Sequence, residues 1–201
     1  MKKQTIAVDI DDVLAAEAEF IIDYSNEHWG HSLSLDEYQE HWGELWGVDL
    51  GETERRADIL HQPGIVSSYR LIERGHEALQ KLAERYKLVI VTSRRSKTKH
   101  ETLQWLEENF AGIFVNIHFT GFYDDITPDS YRRTKGELLR QLGANFVIDD
   151  QLKHCRSALD NGVQAILFGN YKHQRSERLP DGVVRCMNWT AVQEYFDGIG
   201  S

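Results

Sequence analysis

Two pairs of carboxylates stand directly behind short apolar runs. Asp9 and Asp11 follow Ile6-Ala7-Val8, and Asp149 and Asp150 follow Phe146-Val147-Ile148. Asp9 and Asp11 are two apart, so they start on the same side of the chain as it leaves an extended segment. Crowded carboxylates repel, and burying them without a cation is costly. A hard divalent ion resolves the conflict. Mg²⁺ prefers such oxygens and keeps positions open for water and a substrate phosphate. A plainer reading makes each pair a set of loop polars or helix caps. That reading competes well for one pair and poorly for two, because other strand ends are equipped as well.

The run Leu88-Val89-Ile90-Val91 ends on Thr92-Ser93-Arg94-Arg95. Hydroxyl and backbone groups of Thr92 and Ser93 can donate to a phosphate oxygen. A helix expected to start near Ser96 or Lys97 adds a favourable dipole. Taken alone, the same residues would be an ordinary helix cap. Lys135 opens a helical pattern just ahead of the second acidic pair. It can offset the acidic charge or bind phosphate as a point charge. A solvated surface lysine is the default for a lone Lys, and Arg132 and Arg133 stand beside it as alternatives.

These residues need a scaffold that gathers strand ends. Continuous apolar runs at 5–8, 88–91, 113–119, 146–148 and 165–168 read as strands covered on both faces, with a short edge strand at 183–184. Helical patterns occupy 73–85, 97–110, 134–142, 151–161 and 188–196, with Gly143 and Gly162 placed as C-terminal glycines. Strand alternating with helix predicts an α/β fold, a doubly wound parallel sheet of Rossmann-like type. In such sheets ligands bind beyond the strand C-termini, where the candidate residues fall. Residues 15–68 break the alternation. They carry amphipathic patterns at 17–26, 34–46 and 52–60 and are rich in aromatics and histidine. The expected organisation is a catalytic core of residues 1–14 and 69–201 with a small helical cap, 15–68, inserted after the first strand. Residues 198–201 read as a frayed end.

Asp-x-Asp-x-Val after strand one, Thr/Ser after strand two, Lys before strand four and Asp-Asp after it resemble the four motifs of haloacid-dehalogenase-like hydrolases, in the family's order. The resemblance covers the core strands across most of the chain. It implies a Mg²⁺-dependent phosphohydrolase. Asp9 would attack phosphorus to form an aspartyl-phosphate. Asp11 would protonate the leaving alkoxide and then activate water. Mg²⁺ would be held by Asp9, the Asp11 carbonyl and Asp149 or Asp150. Thr92, Ser93 and Lys135 would hold the phosphate oxygens. Within that superfamily the chain looks most like the 5′(3′)-deoxyribonucleotidase branch and its bacterial relatives. The carrying features are the cap straight after motif one, the Val-Thr-Ser-Arg form of motif two, and Thr102-Leu103-Gln104-Trp105-Leu106. Asp12 stands where that branch usually has Gly, and adds charge at the expected cavity mouth. The cap aromatics Trp29, Tyr38, Trp42 and Trp46 are candidates to stack on a base, or to form the cap's own core.

The chain has 201 residues, of which 41% are hydrophobic and 27% charged, with a formal net charge of −9. That balance argues against non-specific binding to a nucleic-acid polymer. The expected partner is a small phosphorylated metabolite, foremost a nucleotide, with homodimerisation left open. No window has the length and apolarity of a membrane span, and the first apolar stretch is too short for a signal peptide. Cys155 and Cys186 have neither metal-site nor disulfide-framework spacing, which suits a cytoplasmic location. His28 and His31 lack a third zinc ligand at a recognisable spacing. Alternatives are a phosphatase for a sugar phosphate or other metabolite, a phosphotransferase, and a catalytically idle nucleotide-binding regulator.

Overall fold

In the computed structural model, which describes residues 3–171, 174 and 178–199, the strands are β1 (Thr5–Val8), β2 (Lys87–Thr92), β3 (Asn116–Phe119), β4 (Phe146–Asp149), β5 (Gln164–Phe168) and β6 (Val183–Cys186). They form one six-stranded sheet in the order β3-β2-β1-β4-β5-β6, with every neighbouring pair parallel. β1 and β4 lie side by side, in register from Ile6 opposite Phe146 to Val8 opposite Ile148. Both acidic pairs therefore emerge at the C-terminal end of the sheet, from its two central, adjacent strands.

Strand alternation sorts the core into two layers. Ile6, Val8, Leu88, Ile90, Phe146, Ile148, Ile166 and Phe168 face helices α4 (Gly75–Arg85), α5 (Lys99–Phe110) and α8 (Trp189–Ile199). Ala7, Val89, Val91, Val147, Ala165 and Leu167 face α6 (Gly136–Gln141) and α7 (Leu152–Asp160). Each fully buried side chain of this size contributes roughly 1.5–3 kcal/mol. This is the doubly wound α/β sheet that the strand–helix alternation predicts.

Between β1 and α4 the chain builds a separate apolar cluster from α1 (Glu17–Trp29), α2 (Trp42–Trp46) and α3 (Leu50–Leu60). The chain leaves the core and returns to it along one paired seam. Ala16 N–H donates to Arg70 O at 2.8 Å, and Ile72 N–H donates to Leu14 O at 2.8 Å.

Local boundaries differ from the sequence expectation in informative places. The pattern at 34–46 is not one helix. Ser34 and Glu37 close a capping box over a single turn, Leu35–Glu37. Tyr38 then turns extended (ψ 137°), and α2 starts only at Trp42. The third strand starts at Asn116 rather than 113, because Gly112 (φ +72°) turns the chain out of α5. The edge strand runs on to Cys186. Gly198 and Ile199 continue α8 rather than fray, and residues 200–201 lie outside the described residues.

Candidate active site

The chain leaving β1 closes a tight turn on Ile10, whose carbonyl accepts the N–H groups of Leu14 at 2.7 Å and Ala15 at 2.9 Å. Trp189 of α8, fully buried, donates its indole N–H to Val13 O at 2.8 Å and pins this turn to the core. Asp12 takes φ +55° within it, a conformation that favours glycine, and tolerates it because Asp can bond its own neighbourhood. Its Oδ1 accepts the Ala18 N–H at 3.0 Å, at the start of α1. Asp12 is therefore buried in the turn, ties the cap to it and also lines the cavity, as expected of a residue at this position.

Asp9, Asp149 and Asp150 are buried, and their carboxylate oxygens lie within 4.8 Å of one another. Lys135 is wholly buried between two of them. Its ammonium donates to Asp9 Oδ2 and Asp149 Oδ2, each at 2.8 Å. Arg132 and Arg133 are exposed, so the structure selects Lys135 from that basic run. Burial pushes the Asp9 carboxyl up to about 7 against the pull of Lys135, with Asp149 and Asp11 pushing the same way as burial. Burial and the neighbouring Asp149 also hold Asp150 well above the usual carboxylate range. Asp149 is opposed by burial too, yet Lys135 and His154 prevail and keep it below its ordinary value. One cation thus serves three carboxylates, and a hard divalent ion is what the remaining charge calls for. Asp9 Oδ1 is buried without a hydrogen-bond partner among the described residues, as a metal ligand or nucleophile oxygen would be. Asp149 has both oxygens engaged, Oδ2 by Lys135 and Oδ1 by the Gln151 N–H at 2.9 Å. Asp150 lines the cavity instead.

The cavity is walled by Asp9, Asp11, Ser93 and Asp150 at the sheet end and by Tyr38, Trp42 and His61 from the cap. Tyr123 and Tyr131, from the loop after β3, complete it. Trp42 stacks on His61 (centroids 5.8 Å apart), and His41 stacks on Tyr131 at 4.1 Å across the cap–core boundary. Trp29 and Trp46 do not reach the cavity and are corrected to members of the cap core. Their rings meet edge-on at 5.0 Å, and Trp46 donates its indole N–H to Ser25 Oγ at 2.9 Å. At the β2 end, Thr92 is buried and its Oγ1 accepts the Arg94 N–H at 3.1 Å. Ser93, unlike Thr92, lines the cavity, and its hydroxyl is buried without a hydrogen-bond partner among the described residues. Asp11 is not in the carboxylate cluster; Arg94 holds it in an ion pair at 2.7 Å.

Salt links from two cap carboxylates close the cap over this space. Asp58 of α3 pairs with Arg95 at 2.8 Å and with Lys97. Glu40 pairs with Lys153 of α7 at 2.7 Å and accepts from the Tyr123 hydroxyl. Sequence reasoning passed over Arg95, Tyr123, Tyr131 and His154 as site residues. The loop after β3 was the available signal, since it leaves the same end of the sheet as the carboxylates.

The model of the 5′ nucleotidase, deoxy (pyrimidine), cytosolic type C protein family matches residues 3–196. A Staphylococcus epidermidis protein named "Putative 5′(3′)-deoxyribonucleotidase" is 24% identical over 202 residues, covering 99% of both chains. Among solved structures, a haloacid dehalogenase-like hydrolase from Streptococcus pneumoniae superposes with a TM-score of 0.67 at 14% identity, over 96% of this chain and 98% of that one. The HAD-hydrolase YfnB of Bacillus subtilis, solved bound to magnesium, does so with 0.61 at 14% identity, over 98% and 100%. The fold is the haloacid-dehalogenase-like one.

Proposed function

This chain belongs to the 5′ nucleotidase, deoxy (pyrimidine), cytosolic type C protein family, and from that premise we propose that it hydrolyses a nucleoside monophosphate with Mg²⁺, through an aspartyl-phosphate on Asp9. That it is a phosphatase of nucleotidase type follows from the family itself. The observation that carries the finer reading is Asp9. One of its oxygens is fixed by Lys135 and the other is buried, unpartnered and part of a three-carboxylate cluster.

Mg²⁺ would be held by Asp9 and Asp150, with Asp149 reaching the site through Lys135 and the Asp11 backbone as a further donor. Bound there, it would neutralise the carboxylates and the developing phosphoryl charge. Asp9 attacks phosphorus while the leaving alkoxide takes a proton from Asp11. Water, deprotonated by Asp11, then releases phosphate and restores Asp9. Ser93 Oγ and the Lys135 ammonium bind the phosphoryl oxygens. The flat walls of Tyr38, Trp42, Tyr123 and Tyr131 suit a planar base, with cap residues 15–68 setting specificity. Two buried free thiols, Cys155 and Cys186, suit a cytoplasmic setting.

The test is phosphate release from a panel of nucleoside monophosphates and sugar phosphates, with Mg²⁺ or with EDTA, beside Asp9→Asn. Release from nucleotides that needs Mg²⁺ and disappears in the variant is the expected result. Preference for sugar phosphates would overturn the substrate class. Release that survives in Asp9→Asn would overturn the mechanism.

A further inference from the structure

Arg94 is buried beside the cavity with its side chain engaged on every side. Its Nε donates to Asp11 Oδ1 at 3.0 Å and Oδ2 at 3.1 Å, and its NH2 group donates to Oδ1 at 2.7 Å. The NH1 group donates to Thr102 Oγ1 at 3.2 Å. The rings of Tyr69 and Trp105 flank the guanidinium at 5.5 and 5.7 Å. The side chain is 3% exposed, against 19% for Asp11. A planar guanidinium gripping a carboxylate fixes orientation as well as charge. Each Arg94 nitrogen already donates within the protein, which holds the guanidinium on Asp11 rather than free to swing onto a phosphate, although it lines the site. The two Asp11 oxygens are also inequivalent. Among the described residues Oδ1 accepts two donors, while Oδ2 accepts only the longer, shared one.

We propose that Arg94 is a positioning residue, anchoring Asp11 through Oδ1 so that Oδ2 exchanges the catalytic proton. This rests on the reading of Asp11 as acid and base. In the first step the Asp9–phosphorus bond forms and the bond from phosphorus to the leaving oxygen breaks. The proton on Asp11 Oδ2 passes to that oxygen. In the second step a water oxygen bonds phosphorus, the Asp9–phosphorus bond breaks, and Oδ2 takes the water proton back. Arg94 takes no part in either exchange; it restricts the rotamer from which both occur. Small misplacements of a reacting group are expensive, on the order of 100-fold for about 1 Å.

The experiment compares two substrates by their need for a proton. A nucleoside 5′-monophosphate leaves as an alkoxide and requires protonation, whereas p-nitrophenyl phosphate leaves as a stable anion. The ratio of their kcat/KM values is measured for wild type, Asp11→Asn, Arg94→Met, Arg94→Lys and the Asp11→Asn/Arg94→Met double variant. The ratio does not depend on the folded fraction, so a destabilised variant still reports. Expected is a loss of about 100-fold on the nucleotide with only a few-fold loss on the aryl ester in Arg94→Met. The same selectivity should appear in Arg94→Lys, which keeps the charge and loses the two-point grip. The double variant should be no more selective than Asp11→Asn alone. Equal losses on both substrates, or a further selective loss in the double variant, would overturn the proposal. An Asp11→Asn that is selective beside an Arg94→Met that is not sinks this inference alone. A wild type that turns over neither substrate sinks the proposed function together with it.

Discussion

Lys135 is fully buried, and its ammonium sits between Asp9 and Asp149, which raise its pKa above the usual lysine value although burial works against the charge. Its contribution to folding is the compensation of carboxylates already taken out of water. Lys135→Met removes that cation while the carboxylates stay. Breaking a buried pair this way costs about 3–5 kcal/mol. Urea unfolding in metal-free buffer should show a loss of that size. On the proposed mechanism, in which Lys135 donates to the phosphoryl group, activity of the same variant should fall on the order of 100–1,000-fold. A stability change under about 1 kcal/mol would mean that the acidic cluster relaxes into solvent when the lysine is gone.

At the scale of elements, Lys135 is placed by how closely α6 and α7 approach. Gly136 is the first residue of α6, and a Cβ there would lie 2.2 Å from Ser157 O and 2.3 Å from Ser157 Oγ. Backbone cannot yield cheaply to such a contact, so Gly136→Ala must push α6 off α7 and carry Lys135 with it. The expected cost is about 1–3 kcal/mol, read from the denaturant midpoint, with a parallel fall in kcat. Gly198→Ala in α8 is the control: among the described residues nothing lies within 4 Å of its Cβ, and it should be neutral or slightly stabilising. Equal behaviour of the two variants would show that α6 packing does not position the lysine. The cap is placed by the same logic of few contacts. Asp58 and Glu40 reach Arg95 and Lys153 across the cavity, while its own apolar cluster keeps Trp29 and Trp46 inward.

For the whole molecule, the proposed Mg²⁺ site predicts that the ion, bound to the folded state alone, adds stability by mass action, about 2.7 kcal/mol at a hundred times its Kd. For a chain of this size that is roughly 5–10 °C in Tm. A thermal melt with and without Mg²⁺ should show the shift, and Asp150→Asn should remove most of it. An unchanged Asp150→Asn response would assign the ion elsewhere. Both acidic pairs were legible in the residues, as was the sheet that gathers them, because a strand's apolar run and the polar residues that end it are local in sequence. Packing rules narrow the possible strand orders, but the order β3-β2-β1-β4-β5-β6 and its register are settled only by the tertiary structure. The pairings across the site were not legible. That Arg94 grips Asp11, that Ser93 rather than Thr92 presents its hydroxyl, and that Tyr123 and Tyr131 close the cavity all depend on side chains far apart in sequence. So does the inward turn of Trp46, four residues from a Trp42 that faces the cavity. The two tryptophans keep the shared face that helical spacing gives them, ring centroids 5.5 Å apart, and it is the packing of α2 beside the cavity that leaves Trp42 alone of the pair lining it. Residue chemistry is written locally, whereas which oxygen stays free is decided only when distant elements compete for it.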